Sequence, residues 1–470
     1  MNGSGIASTL SKSDDLDQPS IVAMSDIPVP SEVPDEEEEA LQKFLGTTSF
    51  GKQSKATDHD NRFDQSKRSQ PIISRPEAKA NDPEGEESDS DDDDSDDEDD
   101  EDEYPVSHEM VFKTHDRAVT CITLDASGGR MVTGSNDCTL KFHDFAALTP
   151  STIRAFKSVD PSSVKGSASS ALPQPRILDR NGETIAEFAK GDMYLRDMHH
   201  TKGHISEVTC GVWHPQHRNI CATGGTDSTV RIWDVNNPRQ QKNVIVHKSR
   251  AAGSAGRTRI TALSWVAPAQ NNLLVAAALD GSLVMWDGNG PYTRPAAEIR
   301  DAHTKDTWTS GLQVSSTGQL VMTRGGDDTI KLWDTRKFKQ PLRTVSFPSI
   351  SGQYPTSNIC WSPRGTEVLT GSANGDLHIL NPATLTSELV TPVTPGSALI
   401  SVYWHKELNQ IITGSANGET HVLYNPNISE GGAKTVMLKA PKRRHIDDDP
   451  NLTMDLSHGI GGDAVILPGG

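Results

Sequence analysis

What is scarce in this 470-residue chain limits it first. Aromatic residues make up 5% of it and hydrophobic residues 34%. That is too little to pack the whole length as one body, so one sizeable folded unit beside disordered length is expected. Cysteine occurs five times, at Cys121, Cys138, Cys210, Cys221 and Cys360, never as C-x-x-C. The odd count argues against a complete internal disulfide framework, and a reducing compartment is expected. Nowhere do apolar residues run together for the roughly 18 positions that a membrane span needs. The N-terminus MNGSGIASTLSKSDD lacks the apolar stretch of a secretory leader, so the expectation is a soluble, intracellular protein.

Basic residues are missing where acids are densest. Asp82 to Glu103 holds seventeen acids and no Lys or Arg; of a formal net charge of −19, only about −2 remains for the rest. The acidity therefore belongs to a tail rather than to the fold. Residues 1–103, rich in Ser, Asp, Glu, Pro and Lys, cannot bury enough apolar surface to offset their ordering entropy. A disordered acidic arm is predicted there. One stretch inside it, Glu36 to Gln53, places Leu41, Phe44 and Leu45 at helical spacing after an acid-rich turn, as in a helix that forms on a partner.

What is present after Tyr104 is a repeat. Units such as VTCGVWHPQHRNICATGGTDSTVRIWDV and SGLQVSSTGQLVMTRGGDDTIKLWDT recur with their last tryptophan, or its substitute, at His143, Trp233, Trp286, Trp333, Leu380 and Leu423. The steps are 90, 53, 47, 47 and 43, the first being two periods, and an Asp or Asn stands six residues before each of these positions. Fixed internal register at such a period marks a repeat architecture. Each unit reads as alternating strands punctuated by tight turns. A lone blade cannot hide both faces, so radial stacking is needed. The prediction is an all-β, seven-bladed β-propeller over residues 104–434, with blade two incomplete, followed by a disordered tail, 435–470.

These units resemble WD repeats. Blade three carries Gly203-His204, Thr223, Asp227 and Trp233-Asp234, and blade five carries His303, Thr323, Asp327 and Trp333. In WD repeats these residue types form a buried hydrogen-bonded network, so the resemblance assigns them a structural role. Blades six and seven lack the tryptophan and have Asn for Asp. The acidic run leading into YPVSHE at Tyr104, together with KGDMYLRDMHHTKGH, RGGDDTIKLWDTRKF and YNPNISEGGAK, resembles the WD repeat-containing protein 70 family, also called gastrulation-defective protein 1 homologues. The resemblance covers roughly Tyr104 to Lys434. It implies a nucleus-located, non-enzymatic interaction scaffold, a substrate receptor or adaptor of a cullin-RING ubiquitin ligase. The implied setting is the DNA double-strand break response, through histone monoubiquitination. The alternative is a structural subunit of a spliceosomal or other RNA-processing assembly. Two departures stand out: the polar SVDPSSVKGSASSALPQ, where the family has further blade-two strands, and HGIGGDAVILPGG, where it continues into a charged tail. Both are expected to be faults of gene assembly.

Other motifs are weighed against their bland readings. Gly46 to Gln53 nearly matches a phosphate-binding loop, but Gln53 lacks the metal-holding hydroxyl and no strand precedes it. His199, His200 and His204 cluster without the Cys or carboxylate that would complete a zinc set. No reactive grouping stands out from repeat positions, so neither an enzyme, a cofactor nor a metal is expected. Ser88, Ser90 and Ser95 precede acids and suit an acidophilic kinase. The acidic run suits a basic partner such as a histone, or serves only to solvate the arm, and it disfavours direct sequence-specific nucleic-acid binding. The Gly-rich, basic HKSRAAGSAGRTR, from His247, suits a phosphate-bearing partner, the acidic arm, or solvent alone. Lys442-Arg443-Arg444 is a weak nuclear-import patch. Trp333-Asp334-Thr335-Arg336 matches the W-D-x-R box of receptors that dock on the cullin-4 adaptor, and Arg336 is the only arginine so placed.

Overall fold

The computed structural model describes residues 63, 65–68, 73–74, 104–160, 173–195, 197–250, 256–266 and 272–439. Their regular secondary structure is almost wholly β, as the turn-punctuated runs require. Two strands come before the repeats proper: β1 (Ile73–Ser74) and β2 (His108–Lys113). The first sheet is then β3 (Val119–Leu124), β4 (Arg130–Ser135), β5 (Leu140–Asp144) and β6 (Lys157–Val159), and a lone hairpin follows, β7 (Arg176–Leu178) with β8 (Thr184–Glu187).

Four further antiparallel sheets run in chain order. The second is β9 (Val208–Trp213), β10 (Ile220–Gly225), β11 (Thr229–Asp234) and β12 (Asn243–Val246). The third is β13 (Ile260–Val266), β14 (Leu273–Ala278), β15 (Leu283–Asp287) and β16 (Ala297–Ile299). The fourth is β17 (Gly311–Val314), β18 (Leu320–Arg324), β19 (Thr329–Asp334) and β20 (Arg343–Ser346). The fifth is β21 (Ile359–Trp361), β22 (Val368–Gly371), β23 (Asp376–Leu380) and β24 (Ser387–Pro392), with β1 added at its outer edge.

The sixth sheet closes the ring. Strands β25 (Leu399–His405), β26 (Gln410–Ser415) and β27 (Glu419–Tyr424) take β2 from the other end of the propeller as their outer strand, in six antiparallel pairs from His108↔Tyr424 to Lys113↔Glu419. The tight turn between second and third strands needs a positive φ: Gly375 and Gly418 supply it at +95° and +87°, whereas Cys138, Ser228 and Asp328 adopt it at 65°, 65° and 57° as non-glycine residues.

Sheets that stand side by side bury their faces against each other. Val275, Ala277 and Leu283 of the third sheet share a cluster with Val321 and Trp333 of the fourth. Ile379 and Leu389 of the fifth meet Val402 and Leu423 of the sixth, and Phe112 and Val422 of the sixth meet Leu124 and Met131 of the first. A Cβ on Gly414 would lie 2.8 Å from Val119 Cγ1, and one on Gly224 would lie 2.8 Å from Ile260 Cγ2, so successive first strands line the centre closely.

The expected count of seven blades is corrected to six among the described residues. At the place of blade two stands only the hairpin β7–β8, which has outer strands and no inner ones. Phe188 just after it stacks on Trp233 at 4.7 Å, and Arg130 Nη1 donates to Arg180 O at 3.0 Å, so the hairpin bridges the first and second sheets from outside. The inner faces beside it are open. Trp213 on β9 is 49% exposed, whereas Trp265 and Trp361, in the same place on β13 and β21, are 6% and 7% exposed. Trp265 packs 4.5 Å from His214 of the sheet before it, whereas the unit before β9 has only the two strands β7 and β8 among the described residues. Phe156, Ile185, Met193, Tyr194 and Leu195 are exposed along the same seam.

Two domain boundaries also shift. Residues 65–68, placed in the acidic arm, pack on the closing sheet: Ser66 Oγ is 2.6 Å from Tyr424 OH, and Lys67 bridges His108. The Arg68 side chain is buried and donates to Val106 O, Thr391 Oγ1 and Pro392 O. At the other end, helix α1 (Gly432–Leu438) buries Ala433 and Val436, and Lys439 Nζ donates to the carbonyls of Phe145, Ala146 and Leu148. The folded unit therefore runs to Lys439 rather than stopping at Lys434. The rest of the arm and of the tail lies outside the described residues.

The open seam predicts a contrast between two equivalent tryptophans. Trp213→Ser should cost no more than about 0.5 kcal/mol, as a surface change does, while Trp265→Ser should cost about 3–5 kcal/mol. Urea unfolding of both variants checks this; equal losses would mean that the β9 face is covered.

Candidate functional site

The candidate residues fall into two groups, a buried network repeated in the blades and an exposed strand end on the fourth sheet. In the second sheet, Thr223 on β10 lies opposite Arg231 on β11, one residue from the pair Ala222↔Ile232, which brings Trp233 back over Thr223. Trp233 Nε1 donates to Thr223 Oγ1 at 2.8 Å. His204 Nε2 is 2.8 Å from the same hydroxyl, and its Nδ1 is 3.1 Å from Asp227 Oδ2. A carboxylate accepts only, so His204 carries its proton on Nδ1 and Thr223 donates to Nε2 while accepting from the indole.

Asp227 also accepts the amides of Ile205 and Thr229, which locks the β10–β11 turn. Burial pushes the Asp227 carboxyl up, but hydrogen bonds from His204 and the Thr229 hydroxyl, with the charge of Arg231, outweigh this and hold it below the usual carboxylate range. The fourth sheet repeats the arrangement: His303 Nε2 to Thr323 Oγ1 at 2.8 Å, His303 Nδ1 to Asp327 Oδ1 at 3.0 Å and Trp333 Nε1 to Thr323 Oγ1 at 2.9 Å. Asp327 is likewise held low, against burial, by His303 and Thr329.

The first sheet holds a third copy that its sequence disguises. His115 lies 2.8 Å from Asp137 Oδ2 and 2.9 Å from Thr133 Oγ1, but His143 takes the place of the tryptophan. The legible clue was spacing, since His115 precedes Asp137 by 22 residues as His204 precedes Asp227 by 23. His143 is buried, and its Nδ1 has no hydrogen-bond partner among the described residues. Burial, then the charges of His115 and Lys141, push it down to about 3. In the third sheet Ala276 stands where the threonine would be, and His247 meets Asp280 at 3.6 Å without it.

Trp333, Asp334 and Arg336 differ in their exposure. Trp333 is 1% exposed and committed to Thr323, so no partner can reach it. Asp334 caps a short 3-10 turn, Thr335–Lys337, accepting the Arg336 amide at 2.8 Å and Arg336 Nε at 3.3 Å. The Arg336 side chain is 70% exposed and thus fixed at the rim by its neighbour. His200 pairs with Asp197 at 2.7 Å in the open, while His204 belongs to the network. Gly46 to Gln53, Ser88, Ser90, Ser95, the acidic run and Lys442 to Arg444 lie outside the described residues.

Comparison with known proteins agrees with this geometry. The family model "WD domain, G-beta repeat" matches residues 107–144, 196–234 and 297–334, the segments that carry the His–Thr–Asp sets of the first, second and fourth sheets. Fold and network together define a WD-repeat β-propeller protein, a class whose members generally mediate protein–protein interactions. An uncharacterized WD repeat-containing protein of Schizosaccharomyces pombe is 33% identical over 75% of this chain and 66% of its own length. WD repeat-containing protein 70 of Homo sapiens is 33% identical over 72% of this chain and 53% of its own, and the Gastrulation defective protein 1 homolog of Drosophila melanogaster 32% over 72% and 53%. The chain belongs to the WD repeat-containing protein 70 family, and it matches between about half and two thirds of the length of these relatives.

Two outcomes follow from the network. Thr223→Val leaves both an indole N–H and an imidazole nitrogen unpaired in the interior and should cost about 3 kcal/mol. In a cycle with Trp233→Phe the double variant should lose clearly less than the sum, because the partners act as a unit; additive losses in urea unfolding would break the network apart. His143 sets a pH dependence. Below its ordinary 6.5 the unfolded chain binds a proton that the native state refuses until about pH 3, so stability falls as pH drops through that window. His143→Phe should flatten this fall below pH 6.5, and an unchanged slope would remove His143 from the acid response.

Proposed function

We propose that this protein is a non-enzymatic nuclear scaffold that binds other proteins on the propeller surface. The network side chains support this reading: His204, Thr223, Asp227 and Trp233, with His303, Thr323 and Trp333, are buried, Asp327 is nearly so, and all spend their polar atoms on one another. Groups so saturated hold a fold and leave no nucleophile or base aimed at a substrate.

Within that reading, the protein is a receptor or adaptor of a cullin-RING ubiquitin ligase acting at DNA double-strand breaks and on histone monoubiquitination, with Arg336 as the docking residue. The observation that carries it is the rim position of Arg336: its side chain is 70% exposed, and its amide and Nε are held by Asp334 at the end of β19. A guanidinium presented on a rigid strand end offers a planar set of donors to a carbonyl-lined or acidic pocket. Docking would have to compete with the Asp334 contact, so the part of the fork turned from Asp334 is the part that binds.

The test uses the full chain expressed in cells of its own kind. Arg336→Ala should leave the melting temperature within the range of surface changes and reduce recovery of the cullin-4 adaptor at least tenfold, as loss of an interface anchor does. Equal recovery by wild type and variant would remove Arg336 from docking. Recovery of small nuclear ribonucleoproteins in place of the adaptor would support the RNA-processing alternative.

A further inference from the structure

We infer that the groove between the second and third sheets binds an extended, carboxylate-rich peptide of a partner protein, added as a fifth strand on the free edge of β12. The groove has a volume of about 1030 Å³. Its one wall is β12 from Asn243 to Val246, the last strand of its sheet; the other is the loop from Asn289 to Pro295, which leads out of β15. Trp286 and Tyr292 form part of its lining.

Charge selects the occupant. Lys248, Arg250 and Arg294 line the groove, are exposed, and make no ion pair among the described residues. The one carboxylate in the lining, Glu298, is 3.6 Å from Arg300, which leaves the three cations uncompensated. His199 and His247 add hydrogen-bonding capacity, although His247 is engaged with Asp280 and Ser282. A site of this sign attracts acidic chains and repels basic ones.

The strand edge selects the form of the occupant. An outer strand that ends its sheet leaves a row of backbone donors and acceptors to be paired by an added chain. The molecule already uses this mode twice. β1 pairs with β24 at Ile73↔Val390 and Ser74↔Leu389, and Lys67 bridges His108 on the outer side of β2. At β12 no strand among the described residues pairs with the same kind of edge, and cations stand at its C-terminal end and on the facing loop. The inference is independent of Arg336, which sits on the fourth sheet.

The experiment is fluorescence anisotropy on the full chain with a fluorescein-labelled peptide of alternating Glu and Val. About ten residues suffice to cover the strand and both flanks at roughly 3.3 Å per residue. Binding is expected, weakening with added salt, and the same peptide with Lys for Glu should not bind. Lys248→Glu with Arg250→Glu and Arg294→Glu should weaken binding at least tenfold. The melting temperature should stay within the range of surface changes, since these exposed side chains make no ion pair among the described residues. Because the triple change alters overall charge, a control carrying Lys→Glu changes at Lys190, Lys337 and Lys339 should bind as wild type does. No binding by wild type, or equal binding by the groove variant, would overturn the inference. So would a tenfold gain when the acids from Asp82 to Glu103 are replaced by Asn and Gln, because the groove would then be filled by the chain's own acidic run.

Discussion

Everything in this structure depends on the six antiparallel pairs between β2 and β27. A blade with two apolar faces is stable only between two others, so a row of such sheets always has two raw ends unless it closes on itself. Here the N-terminal strand becomes the outer strand of the last sheet, which ties sequence neighbours of the first blade to the end of the chain. The closure is reinforced from outside by Ser66 on Tyr424 and by Arg68, whose guanidinium sits across the boundary between the fifth and sixth sheets. A buried arginine is costly to desolvate, and its carbonyl and hydroxyl acceptors with Glu109 nearby are what make it tolerable there.

The far side of the first sheet shows what happens when that condition is not met. Between the first and second sheets, the described residues supply only a two-stranded hairpin. The apolar residues that face the missing inner strands are left in solvent, Trp213 first among them, and most of the large exposed hydrophobic side chains gather at this one seam. Elsewhere the same repeat positions are buried. The difference is one of neighbours, not of local sequence.

Much of this was legible in the sequence. The Asp or Asn six residues before each tryptophan position gave the register, and the strands, the tight turns and the His204 and His303 networks follow from it. Blade two was read as deficient because SVDPSSVKGSASSALPQ is polar and short of strand formers; that its remnant would be a two-stranded bridge on the outside was not readable, because packing against Trp233 and Phe142 decides it. The Ser66 to Arg68 contacts were missed since composition marks the surrounding 103 residues as solvated, and no periodicity reveals a single buried arginine. Trp333 was counted toward docking because W-D-x-R is contiguous in sequence, whereas Trp333 buries its indole within β19 and Arg336 lies past the strand end, exposed in the 3-10 turn.

The division of labour that results is between a buried network that fixes each turn and a surface that carries recognition, and both rest on a ring held shut by one strand. Native-state hydrogen exchange is the most direct measurement of that arrangement, since it reports which segments open together. The amides of β2 should exchange in the slowest class, with those of β26 and β27, while those of β3 and β9 that border the hairpin exchange faster. If β2 exchanged as quickly as the surface loops while β26 and β27 stayed protected, the ring would not depend on it for closure.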